Sequence, residues 1–482
     1  MTANAETIAP SGQKKLARGK KRSAAAPGHE FQNAASPERA KESGIGRYQV
    51  ALDRVARHHS GNSKLIKGKL HDAPADNLFP AFSATGQDVW RDAYDREGDA
   101  IIISAVGARC GKCFLARGRW SAIANTHVVW PDPEKADIKF LWYLLNDEQF
   151  WIRSGSAQPF VAVRKTFEKE IFVPPLREQQ QIVAEIEKQF TRLEAGATGL
   201  RRVQANLKRY RAAVLKAACE GRLVRTEAEL AKAENRKFET GAELLARILT
   251  QRRQQWQDRG KYKEPITLST TKLYQLPAGW TWTTLDALTE IKGGITKDQN
   301  RKHTAPARAV PYLRVANVQR GYLDLTEVKE IVTTEDEIRE LALKAGDILF
   351  NEGGDRDKLG RGWVWNGELP ECIHQNHVFR ARLFVPEVNP KLISWYANTF
   401  GQQFFFDEGK HTTNLASISM TKLKQLPVPV PPPAEQIRIV AEVERRLSVV
   451  EELEAVVTAN VQRAIRLRQS CLQLAFSGQL HL

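Results

Sequence analysis

The sequence predicts a mixed α/β protein with two α/β domains separated by long helices that pack as an intramolecular antiparallel coiled coil. Three observations predict it: an ungapped repeat, a heptad-like apolar stripe inside each copy, and a fainter echo between the segments that precede the copies. With 482 residues the chain holds two or three domains, because single hydrophobic cores stop growing near roughly 250–300 residues.

The repeat fixes the architecture. Val173-Pro174-Pro175, Glu178-Gln179 and Ile182-Val183-Ala184-Glu185 return as Val430-Pro431-Pro432, Glu435-Gln436 and Ile439-Val440-Ala441-Glu442. Arg211, Leu215, Ala218, Gly221 and Leu223 return in the same register as Arg468, Leu472, Ala475, Gly478 and Leu480. Between these landmarks the second copy places Val440, Val443, Leu447, Val450, Leu453, Val457, Val461, Ala464, Leu467, Cys471 and Leu474 on one stripe. Gly196 and Gly199 weaken the first copy locally. A proline run before each stripe and a glycine after it read as a helix start and a C-terminal cap. Each helix should run for about 45 residues, roughly 65–70 Å at about 1.5 Å per residue. An apolar seam needs a partner, and the other copy is at hand; two unrelated helices in separate cores are the alternative.

In chain order, residues 1–43 are read as a disordered basic arm carrying Lys14, Lys15, Arg18, Lys20, Lys21 and Arg22. The first α/β domain is assigned to 44–173, the first long helix to 174–223 and a charged helical connector to 224–275. The second α/β domain takes 276–430 and the second long helix 431–482. Leu52-Asp53, Gly61 and Lys64 are echoed by Leu285-Asp286, Gly294 and Lys297, and Gly98-Asp99 by Gly346-Asp347. Ile123, His127 and Val128 correspond to Ile373, His377 and Val378, and Trp142-Tyr143 to Trp395-Tyr396. The Gly-Asp pairs suit turns that launch the apolar strands after them.

Lys plus Arg exceed Asp plus Glu by 72 to 56, a net +16, which favours a polyanionic partner. Five cysteines in this length make no disulfide framework, and no N-terminal segment reads as a signal peptide, so a reducing cytoplasm is expected. The most apolar stretch, Ala100 to Val106, is strand-length, far from the roughly 18 residues of a membrane span.

Motifs for chemistry are weak. Gly107-Ala108-Arg109-Cys110-Gly111-Lys112-Cys113 is one residue short of a phosphate loop and puts cysteine where a hydroxyl is needed. Cys110 and Cys113 lack a second ligand pair, so buried thiols are favoured over zinc. Cys372, His374 and His377 are similarly isolated, and His127 and His377, at equivalent places, suggest a shared structural hydrogen bond. No cofactor loop follows a clear strand, and Asn389-Pro390 is followed by Lys391 rather than an aromatic residue. Neither methyl transfer nor cleavage is expected of this chain, and no metal or cofactor site is assigned.

Two domains, each ending in a proline-led helix of repeated sequence, resemble the specificity subunit of type I restriction-modification systems. Leu276-Pro277-Ala278-Gly279-Trp280 looks like that family's usual domain opening; the first domain lacks it. The resemblance covers about residues 44–482. It implies a non-catalytic subunit in which each target recognition domain reads one half of a split, asymmetric double-stranded DNA sequence, while the helices space the halves, about one turn of duplex apart. Partners implied are methyltransferase subunits, two in number, and restriction/translocase subunits; S-adenosylmethionine, ATP and Mg are expected on those partners. No membrane partner is expected. A coiled-coil RNA-binding or structural adaptor is the alternative, though it gives no reason for duplicating an α/β domain with its helix.

For DNA contacts, polar loops offer donors to base edges and phosphates. The candidates are Lys64, Lys67, Arg109, Lys112 and Asn125 in the first domain. In the second they are Lys297, Arg301, Lys302, Asn351, Arg356, Lys358 and Arg361, with Gly353 and Gly354 permitting close backbone approach.

Overall fold

The computed structural model describes residues 48–256, 261–268, 273–296, 306–354, 359–411 and 416–479. The basic arm, and with it Lys297, Arg301, Lys302, Arg356 and Lys358, lies outside the described residues. The described residues form two compact units, one within 48–190 with 468–479 and the other within 191–467.

In unit 1 the strands are β1 (Ala56–Ser60), β2 (Phe79–Ser83), β3 (Gly86–Arg91), β4 (Ala100–Ser104), β5 (Cys113–Ala116), β6 (Arg119–Ala122) and β7 (Thr126–Pro131). One sheet has the order β1-β7-β4-β5; the other runs β3-β2-β6 and ends on Arg96–Glu97. Side chains on a strand alternate between faces, and Ala100-Ile101-Ile102-Ile103 uses both. Ile101 and Ile103 join Val129 and the helix α1 (Ile138–Leu145) in one core, while Ile102 joins Val128, Phe82 and Trp120 in another. That explains why β4 reads as an uninterrupted apolar run rather than an alternating one.

Unit 2 repeats the plan. A connector of two short helices, α3 (Glu227–Ala233) and α4 (Gly241–Gln255), each opened by a capping box, precedes it. Its strands are β8 (Thr289–Lys292), β9 (Ala307–Leu313), β10 (Lys329–Thr334), β11 (Ile348–Asn351), β12 (Gly362–Val364), β13 (Ile373–His374) and β14 (Val378–Leu383). The sheets run β8-β14-β11-β12 and β10-β9-β13. The parallel β9–β13 pairing, Tyr312 opposite Ile373, matches the parallel β2–β6 pairing of unit 1, Ala81 opposite Ser121. Leu349 again faces away from its neighbours: Ile348 and Phe350 enter one core, Leu349 another. Gly98 and Gly346, with φ of 100° and 93°, supply the left-handed turns before β4 and β11. A helix equivalent to α1, α5 (Pro390–Thr399), follows β14.

Each domain is closed by pairing its first strand with its last: Gln49–Ala51 with Glu170–Phe172, and Thr281–Thr284 with Pro427–Val430. The long helices α2 (Leu176–Cys219) and α6 (Pro433–Phe476) begin three to four residues later, and each has 44 residues. Gly196 and Gly199 do not interrupt α2. In unit 1, Ile182 and Ile186 near the start of α2 share a core with Ala475 near the end of α6. In unit 2, Val214 and Ala218 near the end of α2 meet Ile439 and Val443 near the start of α6, and Arg211 reaches Glu454 at 3.2 Å. The helices therefore run antiparallel. Burial of the predicted stripe is uneven, however: Val443, Val450 and Val457 are buried, whereas Leu453, Leu467 and Leu474 are 43–46% exposed.

Candidate nucleic-acid interface

Four of the five candidates of the first domain converge on one end of the β1-β7-β4-β5 sheet. Three segments leave it there: residues 61–65 after β1, the turn 105–112 between β4 and β5, and residues 123–125 before β7. Backbone bonds tie them together, from Gly61 N–H to the Thr126 carbonyl (2.8 Å), Ala124 N–H to the Leu65 carbonyl (3.0 Å) and Ala105 N–H to the Asn125 carbonyl (2.9 Å). Lys64, Arg109 and Asn125 are exposed on these segments, and Lys112 is half-buried with its ammonium 5.3 Å from the Phe114 ring. Asn125 has φ of 64°, a left-handed conformation that asparagine tolerates better than most residues.

Lys67 stands apart. Its ammonium lies 2.6 Å from Asp88, which also accepts from Thr85. Burial pushes the Asp88 carboxyl up, but the bonds from Lys67 and Thr85 outweigh it and hold it below its ordinary value. The Lys67 charge is thus already matched within the domain.

The turn 107–112 also shows why it is no phosphate loop. Such a loop aims free N–H groups at an anion. Here Cys110, Gly111 and Lys112 donate instead to the carbonyls of Gly107, Ser104 and Arg109. Cys110 and Cys113 are buried free thiols; the Cys113 thiol donates to the Leu145 carbonyl at 3.1 Å, and burial pushes it well up. Among the described residues no group of three or more His, Cys, Asp or Glu could hold a metal ion.

In the second domain the equivalent sheet end gathers residues 293–296, the segment after β11 and residues 375–377. Ile295 N–H donates to the His374 carbonyl (2.8 Å), Asn376 N–H to the Ile295 carbonyl (2.9 Å) and Glu352 N–H to the His377 carbonyl (2.9 Å). Asn351 is a correction to the sequence reading. It is fully buried, and its amide donates to the carbonyls of Val315 and Val318, at 3.2 and 2.9 Å, so it holds the domain together and reaches no base edge. Gly353 and Gly354 pair with Ser417 and Ala416. A Cβ on Gly353 would lie 2.7 Å from the Ala416 carbonyl, so the close approach it permits is to a strand of the protein itself. Arg361 is half-buried and donates to the Val315 carbonyl at 3.4 Å.

The paired histidines differ. His377 Nδ1 lies 2.5 Å from Glu352 and is exposed. His127 packs edge-on to His58, ring centres 6.4 Å apart, and its buried Nδ1 has no partner among the described residues. Burial, then the neighbouring His58, lower its pKa. The two histidines share neither a place in the fold nor a hydrogen bond: His127 lies within β7 opposite Ile103, whereas His377 stands in the turn before β14, where the first domain has Asn125.

The sequence reading missed Glu352, which the fold brings to His377 from the segment after β11, and Asn376, which precedes His377 in the same turn. The sequence echo hid the site, because the strand registers place Ile123-Ala124-Asn125, and not Asn125-Thr126-His127, where the second domain has Gln375-Asn376-His377.

Residues 89–198 match the type I restriction modification DNA specificity domain. The chain is 24% identical over 314 residues to the EcoKI specificity subunit of Escherichia coli K12, covering 64% of this chain and 57% of that protein. It is 24% identical to the Escherichia coli EcoDI specificity subunit over 431 residues, 86% of each. The fold is similar to a chain from a structure of complex assembly and conformational transition in the type I R-M system, with a TM-score of 0.56 and 18% identity. That match covers 90% of this chain and 98% of the other. The HsdS subunit of Thermoanaerobacter tengcongensis is similar at a TM-score of 0.50 and 17% identity, over 90% of this chain and 97% of that one.

Proposed function

We propose that this chain, a member of the type I restriction-modification specificity-subunit family, reads one half of a split DNA sequence with each α/β domain and addresses partner subunits to that sequence. The observation that carries this reading is the duplication in kind: the same two sheets are built twice, and in each copy polar loops gather at the same sheet end. A net charge of +16 supplies the phosphate attraction on which base reading is superimposed.

On this reading the chain performs no chemistry. Methyltransferase subunits, two per chain, carry S-adenosylmethionine, and restriction/translocase subunits carry ATP and Mg. Exposed apolar residues along the long helices, among them Val449, Val456 and Ile465, suit docking of such subunits.

The test is methylome sequencing of cells with and without the chain. Loss of one bipartite methylated motif is the expected result. Unchanged methylation, with purified chain binding RNA or any duplex equally, would instead favour the adaptor reading. Methyl transfer by the chain alone would end the non-catalytic assignment.

A further inference from the structure

At the sheet end of the second domain, Asn376, His377 and Glu352 form a chain of side chains. Asn376 Nδ2 lies 3.4 Å from His377 Nε2, and His377 Nδ1 lies 2.5 Å from a Glu352 carboxylate oxygen. The order of donors follows from chemistry. A carboxylate only accepts, so Nδ1 carries the proton; Nε2 is then the acceptor for the amide N–H of Asn376. This arrangement fixes which way the Asn376 amide faces. Its Oδ1 and second N–H have no partner among the described residues, and His377 at its side is exposed. An amide with one free acceptor and one free donor is the group that pairs with N6–H and N7 on the major-groove edge of adenine.

We propose that Asn376 reads an adenine in the half-site of the second domain, with His377 and Glu352 as positioning residues. The inference rests on the DNA-reading function proposed above and deepens it. The first domain supports it by contrast. By the strand registers the matching position is Ala124: Ala105 N–H bonds to the Asn125 carbonyl as Glu352 N–H bonds to that of His377, and Ser104 lies opposite Thr126 as Asn351 lies opposite Val378. One scaffold position thus carries a directed amide in one copy and only a methyl group in the other, as two domains reading different half-sites require.

The experiment selects bound sequences from a randomised duplex pool with the full chain. Wild type should yield a bipartite motif containing an A·T pair whose preference drops roughly tenfold to a hundredfold in Asn376→Ala, at that one position. Asn376→Asp leaves only acceptors and should move the preference there toward cytosine, whose N4 donates. A misfolded variant cannot mimic such a switch. Glu352→Ala should broaden the same position more weakly. Equal loss on all sequences in Asn376→Ala, or an unaltered motif, would overturn the assignment while leaving the DNA-reading function intact. A wild-type chain with no sequence preference would remove both.

Discussion

Gln179 accepts the backbone N–H of Asp137 at 2.7 Å through its side-chain oxygen, while its nitrogen donates to the Pro174 and Lys135 carbonyls. Asp137 caps helix α1, so one buried amide ties the start of the long helix to the domain before it. Gln436 repeats the clamp on Asn389 N–H (2.9 Å) and the Pro431 carbonyl (3.0 Å). Replacing either glutamine by alanine strands buried backbone groups and should cost about 1–3 kcal/mol for each group left unpaired. Chemical denaturation of Gln179→Ala and Gln436→Ala measures it; a change within error of zero would remove the clamp from the account.

Gly221 and Gly478 end the two helices with φ of 66° and 70° and the same six-residue bond, Arg222 N–H to Ala217 and Gln479 N–H to Leu474. A Cβ on Gly221 would also meet Pro277 at 2.5 Å, whereas Gly478 is exposed. Alanine at Gly478 should therefore cost only the left-handed penalty, about 1–2 kcal/mol. Gly221→Ala should cost clearly more, because Pro277 and Trp280 must move as well. Equal melting temperatures for the two variants would contradict this.

His374 is buried, its Nδ1 donating to the Val378 carbonyl at 2.6 Å, and its Nε2 has no partner among the described residues. Burial pushes its pKa down to about 4 from 6.5, against the bond to Val378, which raises it. A folded-state value below the unfolded one means the unfolded chain binds more protons between these limits. The stability this neutral ring contributes is complete above pH 6.5 and is lost as pH falls toward 4, about 3 kcal/mol in all. Urea unfolding at pH 7 and at pH 4.5 should show the loss, and His374→Asn should flatten that part of the profile. A variant as acid-sensitive as wild type would assign the loss to other groups.

Arg109 and Lys67 should behave differently toward DNA. Arg109 is exposed and forms no ion pair among the described residues, so Arg109→Ala should weaken binding to all duplexes alike and lower the salt slope by about 1. Lys67 is matched by Asp88, so Lys67→Ala should change the slope less, and Asp88→Asn should tighten non-specific binding. Filter binding across a salt series gives each slope; a larger effect at Lys67 than at Arg109 would reverse the placement of the two charges.

Much of the fold is legible in local sequence. The Gly-Asp turns, the proline-led helix starts and the capping glycines each depend on residues a few positions apart, and the fold honours them all. The duplicated sheets were announced by the echoes of Gly61 and Gly294. A Cβ on Gly61 would lie 2.2 Å from the Ile123 carbonyl and one on Gly294 1.9 Å from that of His374, so both positions require glycine for the same crossing of chain segments. The candidate site was legible only in part. An asparagine at the end of a strand looks alike in sequence whether it points inward, as Asn351 does, or sits at the sheet end, as Asn376 does. Lys67 meets Asp88 from 21 positions away, and Glu352 meets His377 from 25, separations at which no periodicity links two residues.

The two-stranded closure of each domain has a consequence for how such a protein can change. Because Gln49–Ala51 lies beside Glu170–Phe172, and Thr281–Thr284 beside Pro427–Val430, the backbone leaves each globule next to where it came in. A whole globule can be exchanged at that stalk for another of different loops without shifting the residues of the helices that follow. Each globule is thereby a replaceable head on its own stalk, and its whole set of loops can be changed in one step.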